Sequence, residues 1–202
     1  MRRTQLMETV AVLTNCPLGT VGTRFDDLLS DGLASKGTRG RNGGAEMTPT
    51  DRVNLLLGVA IDHPRGETIG EAVRRIRSLE MHAVRLTHGL DISVEQGIRG
   101  GFDFVAGLNI GPLDRLGAVL DGIVQNMQTG AFARWAAGEQ ITLTLDFHAK
   151  GRAAMLVLDR PAGGVYFAFG VDEEFRPSEM GVDRFTRMHR YVFERLAVDE
   201  PT

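Results

Sequence analysis

Thr20-Val-Gly-Thr-Arg-Phe-Asp-Asp-Leu-Leu-Ser-Asp-Gly-Leu33 runs directly into Ala34-Ser-Lys-Gly-Thr-Arg-Gly-Arg-Asn-Gly-Gly44. In the first segment Val21, Phe25, Leu28 and Leu29 recur at i, i+4, i+7 and i+8, which puts them on one stripe of a helix. Thr20, Thr23, Arg24 and Asp27 fall off that stripe. Gly32 suits a left-handed C-cap, and Leu33 returns to the core. The second segment carries Lys36, Arg39 and Arg41 among glycines and contains no acid. Upstream, Leu6, Val10 and Leu13 share a face of a helix with Thr4 as its N-cap, and Asn15-Cys16-Pro17 breaks it. The reading is helix, tight turn, helix, and then a basic glycine-rich loop.

Two more helices follow the loop. Thr48-Pro49-Thr50-Asp51 supplies an N-cap, a proline at N1 and an acid at N3 for a largely apolar helix through Ala60. Thr68 with Glu71 forms a capping box for a helix that turns Ile69, Ala72, Val73, Ile76 and Leu79 inward and Arg74, Arg75 and Arg77 outward. Residues 82–111 show weak periodicity, with 97–102 as a candidate turn, so a boundary is placed in 82–90. Residues 112–129 read as an amphipathic helix, and Phe132 with Trp135 as a short helical turn. Then the period changes. Ile141-Thr-Leu-Thr-Leu-Asp-Phe-His148 alternates strictly, and residues 153–159 and 165–170 read as two more strands around Pro161-Ala-Gly-Gly164. Residues 182–196 are expected to close the chain as a helix, with Phe185, Met188, Val192, Phe193 and Leu196 on one side. The expectation is an α+β protein with an N-terminal helical domain, 1–82, and a domain of helices plus a small antiparallel sheet, 83–202.

The chain has 202 residues, 43% hydrophobic and 24% charged, which suits a packed core and not global disorder. A net charge of -3 excludes a globally basic nucleic-acid binder, so any phosphate contact must be local. Cys16 is the single cysteine, so an intrachain disulfide and a thiol metal cluster are both impossible. No apolar run approaches the roughly 20 residues of a membrane span, and Met-Arg-Arg is followed by mixed polar residues, not a signal-type apolar stretch. A cytoplasmic protein without membrane contact is expected.

The helix–turn–helix and loop carry the chemistry. Thr20, Gly22, Thr23 and Arg24 open the second helix, where side chains reach base edges and helix N-terminal amides meet phosphate. Lys36, Thr38, Arg39 and Arg41 are placed to hold phosphates or enter a minor groove. The plain alternative is a helical hairpin with a surface loop, and Asp26, Asp27 and Asp31 count against DNA contact unless they face away. A nucleotide-binding loop is disfavoured: no strand precedes it and the Gly-Lys-Ser/Thr ending is missing. The histidines lack metal spacing, and Asp146 with His148 on one strand face is more simply a solvated pair than an acid–base device. No nucleophile elbow or carboxylate pair appears, so no catalytic residue, metal or cofactor is expected.

About the first 80 residues resemble the N-terminal region of phage- and prophage-type winged helix-turn-helix regulators, which also occur in gene-transfer-agent loci of bacteria. Thr20-Val21, Arg24, Leu28-Leu29, Gly32-Leu33, Arg39-Gly40 and Met47-Thr48-Pro49 carry the likeness. The resemblance implies a transcriptional regulator that reads double-stranded DNA. A homodimer paired through 83–202 would double a limited phosphate footprint. RNA polymerase or another regulator is a candidate further partner. The alternative from another class is a protein–protein adaptor that contacts RNA polymerase or a DNA-bound partner without reading DNA. A third is a regulator whose C-terminal sheet senses a small molecule.

Overall fold

The computed structural model describes residues 1–36, 46–61, 66–86, 91–92, 108, 110, 114–148, 152–160, 163–170 and 185–198. Helix α1 (Arg3–Thr14) buries Leu6 and Val10 and stops where Asn15 turns left-handed at φ 51°. Its N-cap is Arg2, so Thr4 lies in the first turn and does not cap the helix; the Gln5 side chain accepts from the Arg2 N–H instead. Helix α2 (Leu18–Ser30) buries Val21, Phe25 and Leu28 of the expected stripe, while Leu29 is only half-buried. It closes in a Schellman motif: Gly32, at φ 71°, donates to the Leu29 carbonyl and Leu33 to that of Leu28.

Helix α3 (Pro49–Ala60) is buried on nearly every side from Asp51 to Gly58. Its capping box is formed by Thr48 and Asp51, and that of α4 (Ile69–Arg77) by Thr68 and Glu71. Helices α1, α2 and α3 touch one another pairwise, and α4 packs on α2 and α3.

Strands β1 (Met81–Leu86) and β2 (Asp91–Ile92) follow, then α5 (Leu116–Gln128) and α6 (Ala131–Ala136). Strands β3 (Thr142–His148), β4 (Ala153–Arg160), β5 (Gly163–Gly170) and β6 (Phe185–His189) lead into α7 (Arg190–Ala197). The six strands form one antiparallel sheet in the order β2-β1-β5-β4-β3-β6. Its register aligns Met188, Leu145, Leu156, Phe167 and Val84 in one row across five strands. All five are buried, so this face supplies the core.

Further expectations change. Residues 185–189 are a strand and not the first turns of a closing helix. The free edge of β3 offers unpaired backbone groups. Strand β6 fills it, with Met188 opposite Leu145 and Arg187 opposite Asp146. Residues 81–86, without a clear period in the sequence, join the sheet between β2 and β5. Buried side chains from Met1 to Leu196 form one cluster, and α3 and α4 both pack against α5. The helix expected at 112–129 begins at Leu116; residues 111–113 and the turn at 97–102 lie outside the described residues.

Gly122 marks the tightest backbone approach to α5. A Cβ there would lie 2.6 Å from the Ile110 Cα and 2.8 Å from its carbonyl carbon. Alanine ordinarily favours a helix interior over glycine by about 1 kcal/mol. Gly122→Ala is instead expected to destabilise by roughly 2 kcal/mol, because backbone must shift to admit the methyl group. Thermal unfolding followed by circular dichroism should show a Tm lower by roughly 4–8 °C; an unchanged or higher Tm contradicts the close approach.

Candidate nucleic-acid interface

Residues 15–17 link α1 to α2, held by the Cys16 N–H donating to the Ala11 carbonyl at 3.0 Å. Cys16 itself is half-buried and packs against the core. Thr20 and Thr23 are exposed on the first turns of α2, and the Thr23 hydroxyl donates to the Gly19 carbonyl at 3.1 Å. Gly22 is half-buried, yet a Cβ at Gly22 or at Gly19 would meet no heavy atom within 4 Å. Each glycine in a helix interior costs about 1 kcal/mol relative to alanine. No packing requirement within the described residues explains either one. Gly19 joins this face unforeseen; its i, i+3 spacing with Gly22, off the apolar stripe, is the only signal of it in the sequence.

The charged residues of α2 divide. Asp26 is neutralised by Arg3, with Nη2 to Oδ1 at 2.6 Å, and the same guanidinium lies 4.4 Å above the Phe25 ring. Arg24 does not share the open surface of Thr20 and Thr23. It is half-buried and lines a cleft of about 320 Å³ between α2 and α4 with Asp27, Ser30, Asp31, Glu67 and Thr68. The outward arginines of α4 are committed internally. Arg74 donates to the Asp31 carbonyl, Arg75 clasps Glu67 through two bonds of 2.9 Å, and Arg77 clasps Asp121 at 2.9 and 2.6 Å.

Lys36 is exposed at the start of the cationic loop; Thr38, Arg39 and Arg41 lie outside the described residues. Hydrogen bonds tie the residues on either side of the loop to α3. Asp51, 3% exposed, accepts from the Ser35 N–H at 2.8 Å and the Ser35 hydroxyl at 3.1 Å through Oδ1. Its Oδ2 accepts from the Thr48 N–H at 2.9 Å and the Thr48 hydroxyl at 2.8 Å. Asn54 donates to the Leu33 carbonyl at 2.7 Å, and Met47 donates to the Met1 carbonyl at 2.9 Å. Asp51 is legible as a helix cap from its spacing, but not as the residue that joins both ends of the loop.

The sheet gives Asp146 a partner that its spacing from His148 does not suggest. Asp146 is clasped by Arg187 across β3 and β6 at 2.6 and 2.7 Å. Hydrogen bonding to Asp146, and then its charge, hold the Arg187 guanidinium above its ordinary pKa. That carboxylate is therefore engaged in a cross-strand ion pair. Among the described residues no group of three or more His, Cys, Asp or Glu side chains is placed to hold a metal ion, and no helix is long and apolar enough to cross a membrane.

A second surface borders the α1–α2 turn. Leu13, Cys16, Leu56, Val59, Met188 and Val192 help line a groove of about 430 Å³. On the same two helices Val12 is 76% and Leu18 48% exposed. Comparison with protein families, with curated proteins and with solved structures finds no match for this chain.

Proposed function

We propose that this chain is a winged helix-turn-helix transcriptional regulator, of phage, prophage or related mobile-element genes, that binds double-stranded DNA as a dimer. The observation that carries the reading is the bare face of α2. Gly19, Thr20, Gly22 and Thr23 present small groups with open space over both glycines. Such a face lets a helix approach a groove edge closely and leaves hydroxyls and helix N-terminal amides for bases and phosphates.

The position of the cationic segment along the chain supports it. Helix α2 has 13 residues and is therefore about 20 Å long. The loop departs from the C-terminal end of α2, and Thr20 and Thr23 lie near the N-terminal end. Adjacent grooves of duplex DNA are separated by about half of a ~34 Å turn. The length of α2 is thus compatible with its lying across the duplex, not end-on. Dimerisation through 83–202 would set two such surfaces against a symmetric operator.

The arrangement has a cost at Asp27, which is exposed near Arg24. Asp27→Asn is expected to tighten DNA binding by roughly two- to fivefold, the scale of one partly screened surface charge. Fluorescence anisotropy against the protein's own promoter region, titrated across salt, measures it. Folded wild-type protein without salt-sensitive binding to any genomic fragment would sink the DNA reading. A second reading, a protein–protein adaptor, is favoured by the exposed Val12 and Leu18 on α1 and α2, the helices whose connecting turn helps line the groove with Leu13 and Val192. An adaptor would be indifferent to Asp27.

A further inference from the structure

We infer that the outer edge of β6 is a docking site for an extended peptide of another protein, one with an acidic residue between two apolar ones. Strand β6 lies last in the sheet, so its pairing with β3 uses one edge only. Among the described residues no strand pairs with its other edge. Such an edge presents a row of backbone N–H and C=O groups that accepts a further strand.

The groove beside the α1–α2 turn follows this edge. Three consecutive residues of β6, Thr186, Arg187 and Met188, line it. Successive side chains of a strand point to opposite faces, so what the three share along one groove is the edge of the strand. The facing wall is apolar, with Leu13, Leu56, Val59 and Val192. The Thr186 hydroxyl donates to the Ala60 carbonyl at 3.5 Å and places β6 beside the end of α3. At about 3.4 Å per residue, three lining residues offer an extended chain roughly 10 Å of edge.

Charge selects the occupant. Among the described residues that line the groove, Arg187 is the single charged one. Its side chain is 62% exposed, and Nε and Nη2 serve Asp146. Among the described residues Nη1 makes no hydrogen bond, and a guanidinium has donors enough for a second carboxylate. Opposite charges across neighbouring strands stabilise and like charges destabilise. An acid therefore suits the position opposite Arg187. The peptide residues on either side of it turn to the face of Met188, toward the apolar wall. A second copy of β6 is a poor occupant, because antiparallel self-pairing about the middle of the strand sets Arg187 against its own mate.

Cys16, the single cysteine, also lines the groove and allows a test on the unmodified protein. The probe is an acetylated, amidated peptide, Cys-Gly-Val-Glu-Val-Thr, exchanged onto Cys16 as a mixed disulfide against graded thiol reductant. Mass spectrometry reads the captured fraction, and hydrogen exchange reads the amides of β6. The probe is expected to survive about tenfold more reductant than the same peptide N-methylated at both valines, which cannot pair as a strand. It should survive about threefold more than the peptide with Lys in place of Glu, the scale of one exposed ion pair. Capture should slow exchange along β6. Equal retention of the parent and N-methylated peptides, capture no better than that of a Cys-Gly-Gly-Gly-Gly-Gly control, or capture without protection of β6 overturns the inference. So does protection of β6 that rises with protein concentration alone, alongside a dimer in sedimentation, which would assign the edge to a second copy. The inference is independent of the DNA-binding reading, whose own test uses DNA and no peptide.

Discussion

Arg52→Met is expected to destabilise the protein by about 3–5 kcal/mol, because several buried acceptors lose their donor at roughly 1–3 kcal/mol each. Arg52 is 1% exposed, in the middle of the molecule. Its Nε donates to the Met47 carbonyl at 3.0 Å, and Nη1 to the Leu196 and Ala197 carbonyls at 2.8 and 3.1 Å. With its amide oxygen turned inward, Gln128 accepts from both terminal nitrogens at 2.8 and 3.0 Å. Leu196 and Ala197 end α7, where carbonyls lack partners within the helix and a positive charge is favourable. Methionine fills similar space but leaves those oxygens without the guanidinium. Thermal or urea unfolding should show the loss, roughly 6–20 °C in Tm for a chain of this length. Arg52→Lys should recover only part, since an ammonium cannot span Met47, α7 and Gln128 together. A wild-type Tm for Arg52→Met would mean that the clasp between α3 and α7 contributes little.

Replacing Arg39 and Arg41 together with Glu is expected to weaken DNA binding about a hundredfold near 0.15 M salt. On the proposed DNA-binding function, the change removes two cations that meet phosphate and adds two like charges, so the salt slope should fall by roughly 2. The loss should be uniform across DNA sequences, because backbone contacts position the protein without reading bases. Thr20→Ala and Thr23→Ala offer the contrast: loss there should depend on sequence. Circular dichroism verifies that the doubly reversed protein is folded. Unchanged affinity and slope in that folded protein would transfer the loop to the adaptor reading, in which the exposed Val12 and Leu18 become the contact surface.

Legibility varies by element for physical reasons. Helix α2 is readable because burial recurs at the helical period, and Val21, Phe25 and Leu28 are indeed its buried residues. The caps at Thr48 and Thr68 are readable because capping is local chemistry over four residues. Strands β3, β4 and β5 announce themselves by alternation. Strand β6 does not. Phe185, Met188, Val192 and Phe193 fit a helical stripe, and only the open edge of β3 draws the first five residues into the sheet. Strand β1 is lost among weak signals because its pairing partner, β5, is distant in sequence.

At the candidate interface, the exposure of Thr20 and Thr23 follows from their positions off the apolar stripe. The confinement of Arg24 in a cleft with Glu67 does not, nor does the neutralisation of Asp26 by Arg3. Arg74, Arg75 and Arg77 read as an outward basic face until Asp31, Glu67 and Asp121 are brought to them.

Sequence by itself determined the local structure: where α2, α3 and α4 begin, where α2 ends, and which three strands alternate. Its composition also restricted any phosphate-binding surface to a patch. Only the tertiary structure decided the sheet order, the strand at 185–189, the burial of Arg52, and the closure of the loop on Asp51. Periodicity and capping are properties of neighbours along the chain. Hydrogen-bond partners and ion pairs between distant residues leave no period to read, and exist only once packing has brought their elements together.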